Sequence, residues 1–193
     1  MRNYLIYMAS GSGRRFGSNK LLALRNGKPL FSFGLSLLEK VSRQREDCTA
    51  IVVSRYEEIR SAAQALGIQA VDCPESVKGA SYTIKAGIRA IEELNPHDRL
   101  IFLVADQPEL QYKSLNALLD YRGTDPIARL SAEGVPGNPV LFSGALLPEL
   151  LALTGDQGGG TVAKRHSCTL IPVEPRQLQD CDTPQDLAAS GRR

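Results

Sequence analysis

The feature that most restricts this chain is the run from Tyr4 to Leu22, YLIYMASGSGRRFGSNKLL, in which a short apolar stretch gives way to a glycine- and serine-rich loop carrying Arg14, Arg15 and Lys20. Five or six apolar residues bounded by glycine read as a strand buried on both faces of a parallel sheet. The loop then opens at the carboxyl end of that strand, the edge at which α/β sheets bind ligands. Gly11, Gly13 and Gly17 let backbone N–H groups come close to an anion, and the three cations supply charge that a plain turn has no use for. The stretch reads as a polyphosphate-binding loop, the alternative being a glycine-rich turn whose arginines point at water.

Spacing excludes two familiar glycine loops. The dinucleotide fingerprint G-x-G-x-x-G needs a third glycine where this chain has Phe16. A P-loop needs Lys and Ser/Thr directly after its second glycine, whereas Gly17 is followed by Ser18, Asn19 and only then Lys20.

A length of 193 residues suits one domain spanning the chain, with a sizeable core. Lys and Arg number 23 against 21 Asp and Glu, a formal net charge of +2, so any anion site is local and neither nucleic acid nor membrane is expected as a partner. No apolar run nears the roughly 18 residues of a membrane span, and the opening MRNYLIYMAS is too short in apolar residues for a signal peptide; a soluble cytoplasmic protein is expected. Cys48, Cys73, Cys168 and Cys181 have no C-x-x-C spacing and read as free thiols.

Further along, Asn26-Gly27-Lys28 reads as a turn and Pro29 opens a helix with Leu30, Phe33, Leu37, Leu38 and Val41 at helical spacing. Residues 49–54 form a second strand, 57–66 a helix stopped by Gly67, and 68–73 a third strand. Such a βαβαβ order predicts a parallel sheet with right-handed crossovers. The loop PESVKGAS then leads into a helix over 82–94, with Ser81 as its cap; it reads either as an ordinary βα connection or as a nucleotide contact. Arg99 to Ala105 is a strongly apolar strand running into Asp106-Gln107-Pro108. A carboxylate there can hold a hard divalent cation, or simply start a turn. Residues 113–122 read as a helix and 125–130 as a strand. Residues 132–139 (AEGVPGNP) read as a glycine and proline loop and 140–142 as a short strand. A helix over 144–153, the loop GDQGGG, a short helix capped by Thr161, a strand over 168–173 and an acidic ending complete the chain.

Taken in order, A-S-G-S-G-R-R-F-G-S-N-K, K-G-A-S, V-A-D-Q-P, G-V-P-G-N-P-V-L-F, G-D-Q-G-G-G and D-C-D-T-P-Q-D-L make a pattern over nearly the whole chain. It resembles the NTP-transferase family of glycosyltransferase-A-like fold, in particular the molybdenum cofactor cytidylyltransferases and guanylyltransferases. That resemblance implies a three-layer, Rossmann-like, mostly parallel sheet with helices on both faces. It implies an enzyme that moves a nucleoside monophosphate from an NTP to a molybdopterin-type acceptor, with Mg2+ as cofactor and a molybdenum enzyme as client.

Carried onto residues, the resemblance places Ala9, Ser10 and Gly11 near base and ribose. Ser12, Gly13, Arg14 and Lys20 fall around the triphosphate, with Gly79 and Ser81 at the nucleoside. Asp106 falls on the metal, Asp182 on the same metal or beside the acceptor, and Gly137, Asn138 and Pro139 on the acceptor side. Ala9-Ser10-Gly11 is closer to the A-A-G of cytidylyl-type members than to the L-A-G-G of guanylyl-type ones, which points to CTP. Asn138 stands where related enzymes read G-H-P, and GDQGGG lacks the final arginine of G-D-x-G-A-R. A sugar-phosphate or polyol-phosphate acceptor, or a nucleotide-binding delivery protein without transfer activity, therefore stay as alternatives.

Overall fold

The computed structural model describes residues 1–11 and 19–188. The apolar run forms β1 (Asn3–Met8), buried along nearly its full length. On either side of it lie β4 (Cys48–Ser54) and β6 (Arg99–Val104), both parallel to it, with β5 (Gln69–Asp72) beyond β4. A small hairpin of β2 (Leu24–Arg25) and β3 (Lys28–Pro29) turns at Asn26-Gly27, where both residues have positive φ. Past β6 come β8 (Val135–Ser143), then β7 (Ile127–Ala132), then β9 (Cys168–Pro172), completing a seven-stranded sheet of order β5-β4-β1-β6-β8-β7-β9. Of these strands β8 alone runs against the rest.

Side chains alternate across a strand, so β1 feeds two cores. Leu5 and Tyr7 meet α1 (Leu30–Gln44), α2 (Glu57–Ala65) and α4 (Tyr112–Leu119) through Leu38, Ile59 and Leu115. Tyr4 and Ile6 meet α3 (Ala80–Arg89), α5 (Leu147–Ala152) and α6 (Gly159–Ala163) through Ile84, Leu150 and Val162. The result is the expected three-layer α/β architecture with a mostly parallel sheet. The central strand is held tightly: the Tyr7 hydroxyl donates to the Phe31 carbonyl at 2.8 Å, and α1 lies so close that a Cβ on Gly34 would sit 2.4 Å from that hydroxyl.

Several local expectations are corrected. In α1 the buried positions include Phe31 and Leu35, while Phe33 is half-buried, its ring 6.0 Å from the Arg25 guanidinium. Helix α3 starts two residues earlier than expected, placing Ser81 inside the first turn rather than at the cap. It also ends at Arg89; beyond it the Glu93 carbonyl accepts from the Tyr4 hydroxyl at 3.0 Å, an alternative to continuing the helical ladder. The segment 132–139 is no loop. It is the turn Glu133-Gly134, both at positive φ, followed directly by β8. Thr161 lies within α6 instead of capping it. The four cysteines are free, and among the described residues no helix is long and apolar enough to cross a membrane.

Candidate active site

The carboxyl ends of β1, β4, β5 and β6 open into a cavity of about 650 Å3 whose walls include Ser10, Gly11, Lys20, Gly79, Asp106 and Asp182. The chain leaving β1 is stitched to β4: the Ala9 N–H and the Ser10 hydroxyl donate to the Val53 carbonyl at 2.9 and 3.3 Å, and the Ser54 hydroxyl donates to the Ala9 carbonyl at 2.6 Å. Ala9 and Ser81 are fully buried behind the lining. Ser12, Gly13 and Arg14, to which the sequence assigns triphosphate contacts, lie outside the described residues, as do Arg15 and Gly17.

Three residues far apart in sequence converge. Lys20 Nζ donates to Asp106 Oδ2 at 2.7 Å and to Asp182 Oδ1 at 2.8 Å. Lys20 sits in the short 3-10 turn Lys20–Leu22, fixed by Asn19, whose side chain accepts from the Leu21 N–H at 3.1 Å. Burial alone would lower the pKa of the lysine; the hydrogen bonds and charges of the two carboxylates more than offset this and leave it raised, so Lys20 is a fixed cation.

Asp106 stands just past β6, and its carbonyl accepts from the Cys181 N–H at 2.9 Å, which draws the C-terminal segment to the site. The Cys181 sulfur accepts from Arg25 at 3.4 Å, and the buried Arg25 also pairs with Glu109. Helix α7 (Pro184–Ala188) follows. Asp186 Oδ2 accepts from the N–H groups of Asp182 and Thr183 at 2.9 and 2.7 Å and from the Thr183 hydroxyl at 2.9 Å. Those bonds, the Thr183 hydroxyl foremost, hold the Asp186 pKa below the usual carboxylate range. The last acid of D-C-D-T-P-Q-D is thus a cap that folds the segment so that Asp182 faces Lys20.

The donor set suits a hard divalent cation. Asp106 Oδ1 is buried and has no hydrogen-bond partner among the described residues. No group of three or more His, Cys, Asp or Glu side chains among the described residues is arranged to hold a metal by itself. Two carboxylates are nevertheless what Mg2+ commonly takes from a protein, with substrate phosphates and water completing the shell. Nearby, burial first and then the Asp106 charge raise the pKa of Asp180, whose Oδ1 accepts from Gln107 Nε2 at 3.0 Å.

Gly137, Asn138 and Pro139 lie in β8 and do not line the cavity. Their strand pairs Arg129 with Val140 and Ser131 with Pro136, so they form a bulge in which β8 carries extra residues. Pro139 fits there because a bulge releases the ladder hydrogen bond that proline cannot donate. The bulge packs on Leu178, whose carbonyl accepts from Gln107 Nε2 at 3.1 Å, one residue from Asp106.

Several cavity residues escaped the sequence reading, Arg55, Ser76 and Asp156 among them. Arg55 follows β4 with no motif to mark it; Asp156 belongs to GDQGGG, whose acid was the available signal. The Asp156 loop is held by Ser81, whose N–H and hydroxyl donate to the Gly155 carbonyl at 3.2 and 2.8 Å. Gly79 has φ +132°, and a Cβ there would sit 2.2 Å from that carbonyl oxygen. Gly79→Ala is therefore expected to cost about 1–3 kcal/mol and to weaken nucleotide binding by displacing the Asp156 loop. Urea unfolding and a nucleotide titration measure both; an unchanged midpoint and affinity would refute the packing argument.

The MobA-like NTP transferase domain family model matches residues 5–169. The purine catabolism protein PucB of Bacillus subtilis (strain 168) is 28% identical over 194 residues, covering 94% of this chain and 92% of PucB. Among solved structures, the manganese complex of Rv0371C from Mycobacterium tuberculosis H37Rv superposes with a TM-score of 0.73 at 20% identity, covering 97% of each chain. Molybdopterin-guanine dinucleotide biosynthesis protein A from Archaeoglobus fulgidus does so with a TM-score of 0.70 at 18% identity, covering 96% of this chain and 95% of the other. At those identities the structures speak for the fold, while the sequence match spans most of the chain: it belongs to the MobA-like NTP transferase domain family and is a nucleotidyltransferase.

Proposed function

We propose that this nucleotidyltransferase uses CTP and passes its CMP moiety to a phosphorylated acceptor, molybdopterin or its molybdenum form, with release of pyrophosphate. The observation that carries the reading is the meeting of Lys20 with Asp106 and Asp182 on the wall of a cavity that Ser10 and Gly11 also line. Acceptor phosphate attacks the α-phosphorus as the bond to the β-phosphate bridge breaks, so no covalent enzyme intermediate is required. The protein's part is alignment and charge stabilisation. Lys20, together with Arg14, neutralises the β and γ phosphates as pyrophosphate departs. Ser10, Gly11 and Gly79 hold the nucleoside, and Gly137, Asn138 and Pro139 form the acceptor side. Asp106, through its free Oδ1, and Asp182 would hold Mg2+, which when bound supplies neutralising charge to the phosphate oxygens. The manganese named for the M. tuberculosis structure is in keeping with a divalent cation at such a site.

The CTP preference rests on Ala9-Ser10-Gly11, and the acceptor on the family's neighbours, one of which is a molybdopterin-guanine dinucleotide biosynthesis protein. A molybdenum enzyme would then receive the product. The test is pyrophosphate release from each of the four NTPs, with and without molybdopterin, and with sugar-phosphate and polyol-phosphate acceptors in parallel. Release from CTP that depends on molybdopterin is expected. Preference for GTP would overturn the nucleotide assignment, and release only with a sugar or polyol phosphate would overturn the acceptor. CTP binding without release for any acceptor would leave a delivery protein.

A further inference from the structure

The cavity has two ends. At the β1 and β6 end Lys20 meets its two carboxylates, and at the β4 and β5 end the walls include Arg55 and Ser76. Arg55 Nε and Ser76 Oγ are both buried with no hydrogen-bond partner among the described residues. A buried polar atom left unpaired costs free energy that a ligand recovers by supplying the partner. The Arg55 side chain is held where it stands. The Arg55 guanidinium lies 4.7 Å from the centre of the Tyr56 ring and donates to the Tyr56 hydroxyl, which itself donates to the Gly11 carbonyl at 3.1 Å. Ser76 belongs to the 3-10 turn Pro74–Lys78, and its N–H donates to the Cys73 carbonyl at 3.0 Å.

We infer that Arg55 and Ser76 read the edge of the nucleobase and set a preference for cytosine over uracil. The inference rests on the reading of this cavity as a nucleoside triphosphate site. A base fits this end better than a phosphate does. The lysine and the carboxylates that would hold a metal, the groups a triphosphate calls for, lie at the other end. Arginine has donors and no acceptor. Cytosine offers it two adjacent acceptors, O2 and N3, while its N4 amine can donate to the Ser76 oxygen. Uracil carries a hydrogen on N3, which opposes the guanidinium donor.

The experiment compares CTP and UTP on the full chain with Mg2+, by equilibrium binding and by KM and kcat for pyrophosphate release, in R55M, R55K and S76A. In R55M the CTP-over-UTP ratio is expected to fall roughly 10- to 100-fold, carried by KM more than by kcat. R55K does not restore it, because an ammonium lacks the planar set of donors. S76A loses about 3- to 10-fold of CTP affinity and removes only one oxygen, so it tests the inference even if R55M fails to fold. Equal weakening of both nucleotides, or an unchanged ratio in variants of a protein that binds CTP, would overturn the base-reading role and leave the triphosphate reading intact. A parent protein that prefers UTP or GTP also overturns it. A parent protein that binds no nucleotide fails the underlying reading, and the inference falls with it.

Discussion

Asp106→Asn is expected to lower turnover by roughly 10²- to 10³-fold while the protein stays folded, the scale seen when one group that stabilises transition-state charge is lost. The substitution keeps the volume and the backbone carbonyl that anchors Cys181, so the C-terminal segment remains in place. What changes is polarity. The carboxylate has Oδ2 bonded to Lys20 and Oδ1 buried without a partner among the described residues, and an amide turns one of these acceptors into a donor. If the amide points at Lys20 it opposes the ammonium; if it points the other way it removes the oxygen assigned to the metal. Steady-state pyrophosphate release reports the loss, and a urea midpoint near that of the parent separates it from unfolding. Asp182→Asn should cost less, because that side chain is 50% exposed against 20% for Asp106 and water can stand in for part of its charge. Normal turnover in Asp106→Asn would remove the carboxylate from the mechanism.

Much of this arrangement was legible in the sequence where a local rule sufficed. The runs in β1 and β6 are long, apolar and bounded by turn residues, and buried parallel strands leave that trace. Asp106 was readable because it follows β6 closely, and Lys20 because it ends the glycine-rich stretch that leaves β1. Their convergence with Asp182 was expected only through family resemblance, since it depends on β6 lying beside β1 and on Asp186 capping a segment over 70 residues from Asp106. The β8 bulge was hidden for a different reason. Gly137, Pro136 and Pro139 are loop formers by propensity, and the true turn at Glu133-Gly134 uses a glutamate at positive φ, which no turn rule favours. Arg55 had no motif at all, because its meaning lies in an unpaired nitrogen that only the packed cavity reveals.

Lys20→Met is expected to move two observables in opposite directions. In the structure the ammonium pairs with Asp106 and Asp182, the two carboxylates that would also hold a divalent cation, so its charge opposes the metal at one negative site until nucleotide arrives. Removing the ammonium leaves two carboxylates facing each other without a counter-charge. Their affinity for Mn2+ in the absence of nucleotide should rise by roughly tenfold, because a nearby positive charge no longer opposes the ion. Turnover should nevertheless fall by about 10²- to 10³-fold, since the departing pyrophosphate loses a positioned cation. Methionine keeps most of the apolar stem of a side chain that is only 10% exposed, which limits the effect on packing. A Mn2+ titration without nucleotide, set beside pyrophosphate release at saturating Mn2+, measures both. A variant with weaker Mn2+ binding would mean that the lysine organises the carboxylates for the metal instead of holding their place. A variant with full turnover would place the charge that balances pyrophosphate elsewhere.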